Sequence, residues 1–380
     1  MLGSWQRESV SILPRHRRLR QAMEKSLDQL RAAIDALDAK IVEFINARAQ
    51  VVAEIGKIKK AKNVEVYVPE REKAVYDKVA ALNKGPFPKD ALVAVYREIM
   101  SGSLAMEKRV RISYLGPDAS FSHQAARLKF GSSVEYAPVL GIDAVFDEVQ
   151  AGRVDYGVVP IENSTEGSIS DTLDRLIESS LKICGEILLA IHHNLIAACK
   201  REEIKKVYSK GTVLAQCKAW LASNLPTAAL VDVGSTTQAA QIAKKERGAA
   251  AVAHEEAART YGLDIIASGI EDSPHNATRF VVLSRQDAGR TSSDKSSIMC
   301  AIKNRPGALV DLLLPFKANQ INLTQVVPWP SKKQAWDYFF FIDFEGHRTE
   351  AHIAATLRLV EEMCKEVRIL GSYPKATPIT

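Results

Sequence analysis

Arg48 occupies a position where the surrounding pattern calls for an apolar side chain. The apolar residues Leu27, Leu30, Ile34, Leu37, Ile41, Phe44, Val51, Ile55 and Ile58 alternate three and four apart, and Arg48 alone breaks that seam. A guanidinium in an apolar stripe is costly to desolvate unless an anion meets it. The seam therefore calls for a carboxylate at Arg48, from an acid of the bundle or from a small molecule, unless the arginine reaches the rim. Arg31 lies 17 positions earlier, about 25 Å along a helix. The two cannot hold one small anion from the same chain, whereas an antiparallel second copy brings its own Arg31 alongside. Lys59 adds a further cation to the stretch.

Three polar turns form the second set: Gly116-Pro117-Asp118-Ala119-Ser120-Phe121-Ser122, Glu162-Asn163-Ser164-Thr165-Glu166-Gly167 and Gly234-Ser235-Thr236-Thr237. Each follows an expected strand. Such turns in α/β sheets either receive anions on helix-start amides or simply cap and turn the chain. The five cysteines, at 184, 199, 217, 300 and 364, are odd in number and lack CxxC spacing. They read as structural thiols of a reducing cytosol, with no metal site among them.

Long elements must position these groups. Residues 26–60 form one helix about 50 Å long, opened by a Ser26/Gln29 capping box. It is too long for the helices after it to cover, so a second copy of the chain is its cover. Residues 63–68 connect it to a helix beginning at Pro69 and ending near Gly85. Asp90 is expected to cap a third helix reaching Glu107. Around 108–111 the period changes, and residues 110–285 alternate strands (156–161, 187–196, 280–283) with helices (171–179, 236–245), which is α/β organisation. Residues 286–296 read as a linker. Beyond it, a strand (297–303), helix (307–319), strand (321–327), strand (336–344), helix (349–365) and strand (367–370) make a βαββαβ module.

Composition excludes several classes. The chain has 380 residues, 46% hydrophobic and 25% charged, with a net charge of +6. Arg7, Arg15, Arg17, Arg18 and Arg20 against Glu8 concentrate that excess in the first 22 residues. The tail, expected to be disordered over 1–25, lacks the apolar core of a signal peptide but would suit a transit peptide, and Met23 is an alternative start. The rest carries no nucleic-acid footprint and no membrane-spanning run.

The pattern Leu30-Arg31-x-x-Ile34-Asp35-x-Leu37-Asp38, then Arg48, Gly56-Lys57-x-Lys59 and Pro69-Glu70-Arg71-Glu72, resembles the all-helical chorismate mutases. Leu115-Gly116-Pro117, Val159-Pro160-Ile161-Glu162-Asn163-Ser164, Gln216-Cys217 and Asn276-Ala277-Thr278-Arg279-Phe280 are similar, in order, to the motifs of prephenate dehydratases. Gly307-Ala308-Leu309-Val310 and the run 336–346 look like an ACT-type amino-acid-binding domain. The resemblance implies three domains: a dimeric all-α mutase bundle (26–108), a two-lobed, periplasmic-binding-like α/β dehydratase (110–285) and an α+β regulatory module (297–374). It points to the bifunctional bacterial enzymes that make phenylpyruvate from chorismate.

What that resemblance implies is specific. Arg31 of the partner chain and Arg48 would hold the chorismate carboxylates, Lys59 and a protonated Glu107 the ether oxygen, and Arg71, Glu72 and Ser103 the remaining polar groups. Thr278 would assist loss of the prephenate hydroxyl, with Asn163, Ser209 and Gln216 orienting the substrate and Arg279 either binding it or serving a structural ion pair. Gly307, Ala308, Leu309 and Val310 would receive an L-phenylalanine effector. The substrates are chorismate and prephenate, no cofactor is needed, and a cytoplasmic homodimer or larger even assembly is expected.

Three departures stand out. Val68 replaces an aspartate cap worth about 1 kcal/mol, Lys210-Gly211-Thr212 replaces His-Pro-Gln, and Val327-Pro328-Trp329-Pro330 replaces Glu-Ser-Arg-Pro, while Pro315 is expected to interrupt the preceding helix. Two other readings are a chain with one weakened activity and a non-catalytic dimeric sensor of small anions or amino acids.

Overall fold

A computed structural model describes residues 26–61, 67–273, 275–303, 305–331 and 338–376. The basic tail, most of the 63–68 connection and the first two residues of the strand expected from 336 lie outside them. The chain divides into two units at residues 62 and 63.

The first unit is the single helix α1 (Leu27–Ala61). Its capping box is reciprocal: the Ser26 amide donates to Gln29 Oε1 at 3.0 Å and the Gln29 amide to Ser26 Oγ at 3.2 Å. The nine apolar seam residues are 44–69% exposed, so the stripe that defines the helix is unburied along its whole length.

The second unit opens with α2 (Pro69–Leu82) and α3 (Lys89–Glu107). Pro69 takes the first turn of α2, where its missing N–H costs nothing, and Val68 precedes it without a side-chain cap. The expected cap at Asp90 is corrected: Pro88 holds that position, and Asp90 lies in the first turn, where its charge suits the helix dipole.

An α/β lobe follows, with β1 (Arg111–Leu115), α4 (Phe121–Phe130), β2 (Glu135–Val139), α5 (Ile142–Gln150), β3 (Tyr156–Asn163), β4 (Gly167–Ser168), α6 (Ser170–Glu178) and β5 (Lys182–Ala190). The chain then enters a second lobe: β6 (Asn194–Ala197), β7 (Lys206–Ser209), α7 (Gly211–Gln216), α8 (Lys218–Asn224), β8 (Ala229–Asp232), α9 (Thr236–Lys245), β9 (Ala249–Ala253), α10 (Glu255–Tyr261) and β10 (Asp264–Ala267). It returns through β11 (Ala277–Ser284). The first sheet runs β2-β1-β3-β11-β5 with β4 on β3, and the second β10-β6-β9-β7-β8. The single strand expected over 187–196 is thus two strands in different sheets. The polar His192-His193-Asn194 in the middle of the run marks the crossing between lobes.

The last module contains β12 (Asp294–Ile302), α11 (Ala308–Ala318), β13 (Leu323–Pro330), β14 (Tyr338–Glu345), α12 (Ala351–Met363) and β15 (Cys364–Pro374). Its sheet is antiparallel in the order β13-β14-β12-β15. β12 begins inside the stretch expected to be a linker, because Asp294 accepts from the Thr291 amide and hydroxyl and ends the turn there. Pro315 does not interrupt α11, which continues to Ala318 with Leu312 and Phe316 in the core. One sheet face packs on α11 and α12, while Met299, Phe341, Leu370 and Tyr373 join the core of the first lobe. β15 lies so close to β5 that a Cβ on Gly371 would stand 2.0 Å from the Ile183 carbonyl oxygen.

Candidate functional site

The end of β3 and the start of β11 meet where the chain crosses between lobes. Thr278 and Asn163 are register partners on these antiparallel strands. Asn163 Nδ2 donates to Thr278 Oγ1 at 2.8 Å and to Asn276 Oδ1 at 3.0 Å. Its Oδ1 accepts from the Thr165 and Glu166 amides at 2.9 and 3.1 Å, which fixes the turn and the amide orientation together. Gln216, at the end of α7, closes the cluster from the second lobe: Oε1 accepts from Asn276 Nδ2 at 3.1 Å, and Nε2 donates to Glu166 Oε1 at 3.1 Å.

His193 joins this network although the sequence motifs did not single it out. Its Nε2 lies 3.0 Å from Gln216 Oε1, an acceptor only, so Nε2 carries the hydrogen and Nδ1 is left buried without a partner. Burial pushes its pKa below the ordinary histidine value, and the ring is neutral at pH 7. Phe121 stands edge-on between His193 and the buried His254. The one available signal was position: His193 lies in the polar break between two apolar runs.

Thr278, Asn163 and Gln216 are therefore brought together, and two other expected residues are not. Ser209 is fully buried and donates to the Val252 carbonyl at 2.7 Å, tying β7 to β9. The loop after it closes on Asp232, whose Oδ1 accepts from the Gly211 amide at 2.7 Å, beside an open cavity of about 550 Å³. Arg279 follows Thr278 on the strand and therefore points to the opposite face. There Nε contacts Glu186 at 2.8 Å, Nη1 contacts Asp343 at 2.5 Å and Gln325 at 3.0 Å, and Nη2 contacts Tyr373 at 2.9 Å. Of the two roles expected of Arg279, the ion pair is the one seen here: its guanidinium is held between the first lobe and the last module. Burial alone would raise the Glu186 pKa, but Arg279 and Lys295 outweigh it and hold the carboxyl below the usual range.

On α1, Arg31 is exposed and lies 3.6 Å from Asp28, while Arg48 and Lys59 are half-buried. On α2, Arg71 is exposed and Glu72 is buried. Glu72 accepts from Tyr67 at 2.7 Å, Tyr76 at 3.1 Å and Lys129 at 2.6 Å, so both oxygens are engaged within the protein. On α3, Ser103 donates to the Ile99 carbonyl at 2.7 Å, and Glu107 is half-buried at the last turn.

In the last module Gly307 caps α11 with φ +80°, a conformation glycine adopts without strain, and Ala308 is buried while Leu309 and Val310 are exposed. Asp311 is paired with Arg305 at 2.7 Å. Trp329 donates its indole N–H to Asp174 at 2.9 Å and packs against the first lobe. Among the described residues no group of His, Cys, Asp and Glu is placed to hold a metal, and no helix is long and apolar enough to cross a membrane.

This arrangement is a helical N-terminal region followed by two α/β lobes with a polar cluster at their crossing, and family models identify it as a mutase region joined to a dehydratase domain. Residues 30–108 match the family model for chorismate mutase type II, and residues 112–288 that for prephenate dehydratase. A bifunctional chorismate mutase/prephenate dehydratase of Aquifex aeolicus is 46% identical over 93% of this chain and 99% of its own length. The Pseudomonas aeruginosa protein of the same name is 42% identical over 93% and 99%. Among solved structures, a prephenate dehydratase of Arthrobacter aurescens in complex with L-Phe matches with a TM-score of 0.66 and 31% identity, over 71% of this chain and 92% of that one. The chain belongs to the bifunctional chorismate mutase/prephenate dehydratase family.

Proposed function

We propose that the Thr278 cluster carries the dehydratase reaction of this two-activity enzyme and that the cations of α1 carry the mutase reaction. Prephenate loses its ring carboxylate as carbon dioxide. The electron pair of that C–C bond enters the ring, and the hydroxyl opposite leaves as water. Aromatisation drives the step, but hydroxide is a poor leaving group without a proton. The observation that carries the assignment is the bond from Asn163 to Thr278. Because Thr278 Oγ1 accepts from Asn163 Nδ2, its own hydroxyl hydrogen is directed elsewhere, onto the departing oxygen. Asn276 accepts from Asn163 and donates in turn to Gln216, which neutral His193 orients.

Chorismate rearrangement needs no nucleophile, only a held geometry and charge complementary to a polarised transition state. Arg48, Lys59 and a partner copy's Arg31 suit its carboxylates and ether oxygen, with Arg71, Ser103 and Glu107 completing the set. The exposed seam of α1 supports a homodimer. The last module, in the order β13-β14-β12-β15, supports an ACT-type domain with an amino-acid effector at Gly307 to Val310. Five unpaired cysteines accord with a reducing, cytoplasmic setting.

Thr278→Ala tests the assignment. Phenylpyruvate formation should be lost while chorismate is still consumed and prephenate accumulates, and Thr278→Ser should restore part of the rate. Loss of both activities in a folded Thr278→Ala protein would refute two independent centres.

A further inference from the structure

A cavity of about 460 Å³ lies where α2, α3, β5 and the segment after β15 converge. Three sequence regions line it: the pair of helices before residue 108, the first α/β lobe and the chain end beyond the last sheet. On α3 the lining residues Asp90, Val93, Ala94 and Arg97 recur at helical spacing, so one face of that helix forms a wall.

The acids of the cavity are already matched, with one exception. Glu72 is held by Lys129 and two tyrosine hydroxyls, Asp77 by Lys73, and Glu186 by Arg279, Lys295 and the Ala376 amide. Asp90 is exposed at the helix start. Among the donors Arg97 differs. Its Nε is buried without a hydrogen-bond partner, and Nη1 reaches only the Leu128 carbonyl at 3.3 Å. Glu98 Oε1 lies 3.7 Å from Nε, an ion pair longer than a hydrogen bond, while the other oxygen of that carboxylate is taken by the Ser132 amide and hydroxyl. A buried guanidinium N–H left unmade is costly, and Val93, Leu128 and Ile187 offer apolar surface beside it.

We propose that this cavity binds a small monocarboxylate with an aromatic or similarly apolar body, its carboxylate on Arg97. The volume is that of an ordinary ligand pocket. The 2-oxo acid released by the dehydratase has this chemistry, so the site ties the helical pair to the α/β lobe when product accumulates.

Calorimetric titration of the full chain with phenylpyruvate counts the sites per protomer. The expected result is one site beyond the dehydratase centre, weakened about 10- to 100-fold by Arg97→Gln and removed by Ala94→Phe, which fills the cavity without changing a charge. The dehydratase KM for prephenate should be unchanged in both variants, which separates the lost site from the catalytic one. If wild type binds phenylpyruvate only where prephenate displaces it, or if either folded variant binds with wild-type stoichiometry and affinity, the proposal is overturned.

Discussion

Replacing Arg279 by methionine keeps an unbranched stem close to arginine's aliphatic part and removes the guanidinium with its charge, and the surrounding network sets the cost. Arg279, Glu186 and Asp343 have side chains 7%, 0% and 9% exposed, so their ions are screened little by solvent. Glu186 keeps Lys295 at 3.0 Å after the change. Asp343 loses the cation at 2.5 Å that neutralises it. Breaking one partner of a buried pair costs about 3–5 kcal/mol. With Glu186 still compensated, the lower end, about 3 kcal/mol, is expected. At about 2–4 °C per kcal/mol for a unit of this size, the midpoint of the thermal transition should fall by about 6–12 °C. Adding Asp343→Asn should recover part of that loss, because the orphaned charge is then gone. The prephenate KM should change far less than removal of a substrate carboxylate contact would change it. A melting point within a degree of wild type combined with a large rise in KM would refute the structural role and return Arg279 to the substrate.

Mixing refolded Arg31→Ala and Arg48→Ala proteins should restore part of the mutase activity that each lacks, since a hybrid dimer contains one intact site; verified heterodimers without recovery would rule out a shared pocket. Acid should destabilise the fold in two stages. Burial lowers the folded-state pKa of His193 and His254, so the unfolded chain binds protons first and stability declines below about pH 6.5. Glu186, also depressed, contributes stability above the ordinary carboxylate value that is lost as pH falls through its folded pKa. Denaturation followed against pH checks both stages, and His254→Gln should flatten the first. Phenylalanine should inhibit weakly, because Val327 and Trp329 replace polar groups; a missing ammonium acceptor costs about 1–3 kcal/mol, or about 10- to 100-fold in affinity. A tight inhibition titration would show that groups near Gly307 suffice.

Local chemistry determined much of this protein from its sequence. The Ser26/Gln29 box, Pro69 at a helix start, the α9 boundaries and the βαββαβ order all depend on contacts between near neighbours, and short-range spacing encodes those. So do the types of residue that cluster at the crossing, since Asn163 and Thr278 sit in motifs at strand ends. Tertiary structure alone decided which neighbours each side chain meets across long separations. The apolar run around 190 splits between sheets because His193 is drawn to Glu271 and Gln216. Arg279 and Glu72 carry the charge expected of substrate ligands, yet each is claimed by partners distant in the chain, Asp343 and Lys129. A sequence shows that a charge exists; which countercharge lies within 3 Å depends on how strands pair and modules dock, and that decides whether the group binds a ligand or holds the fold together.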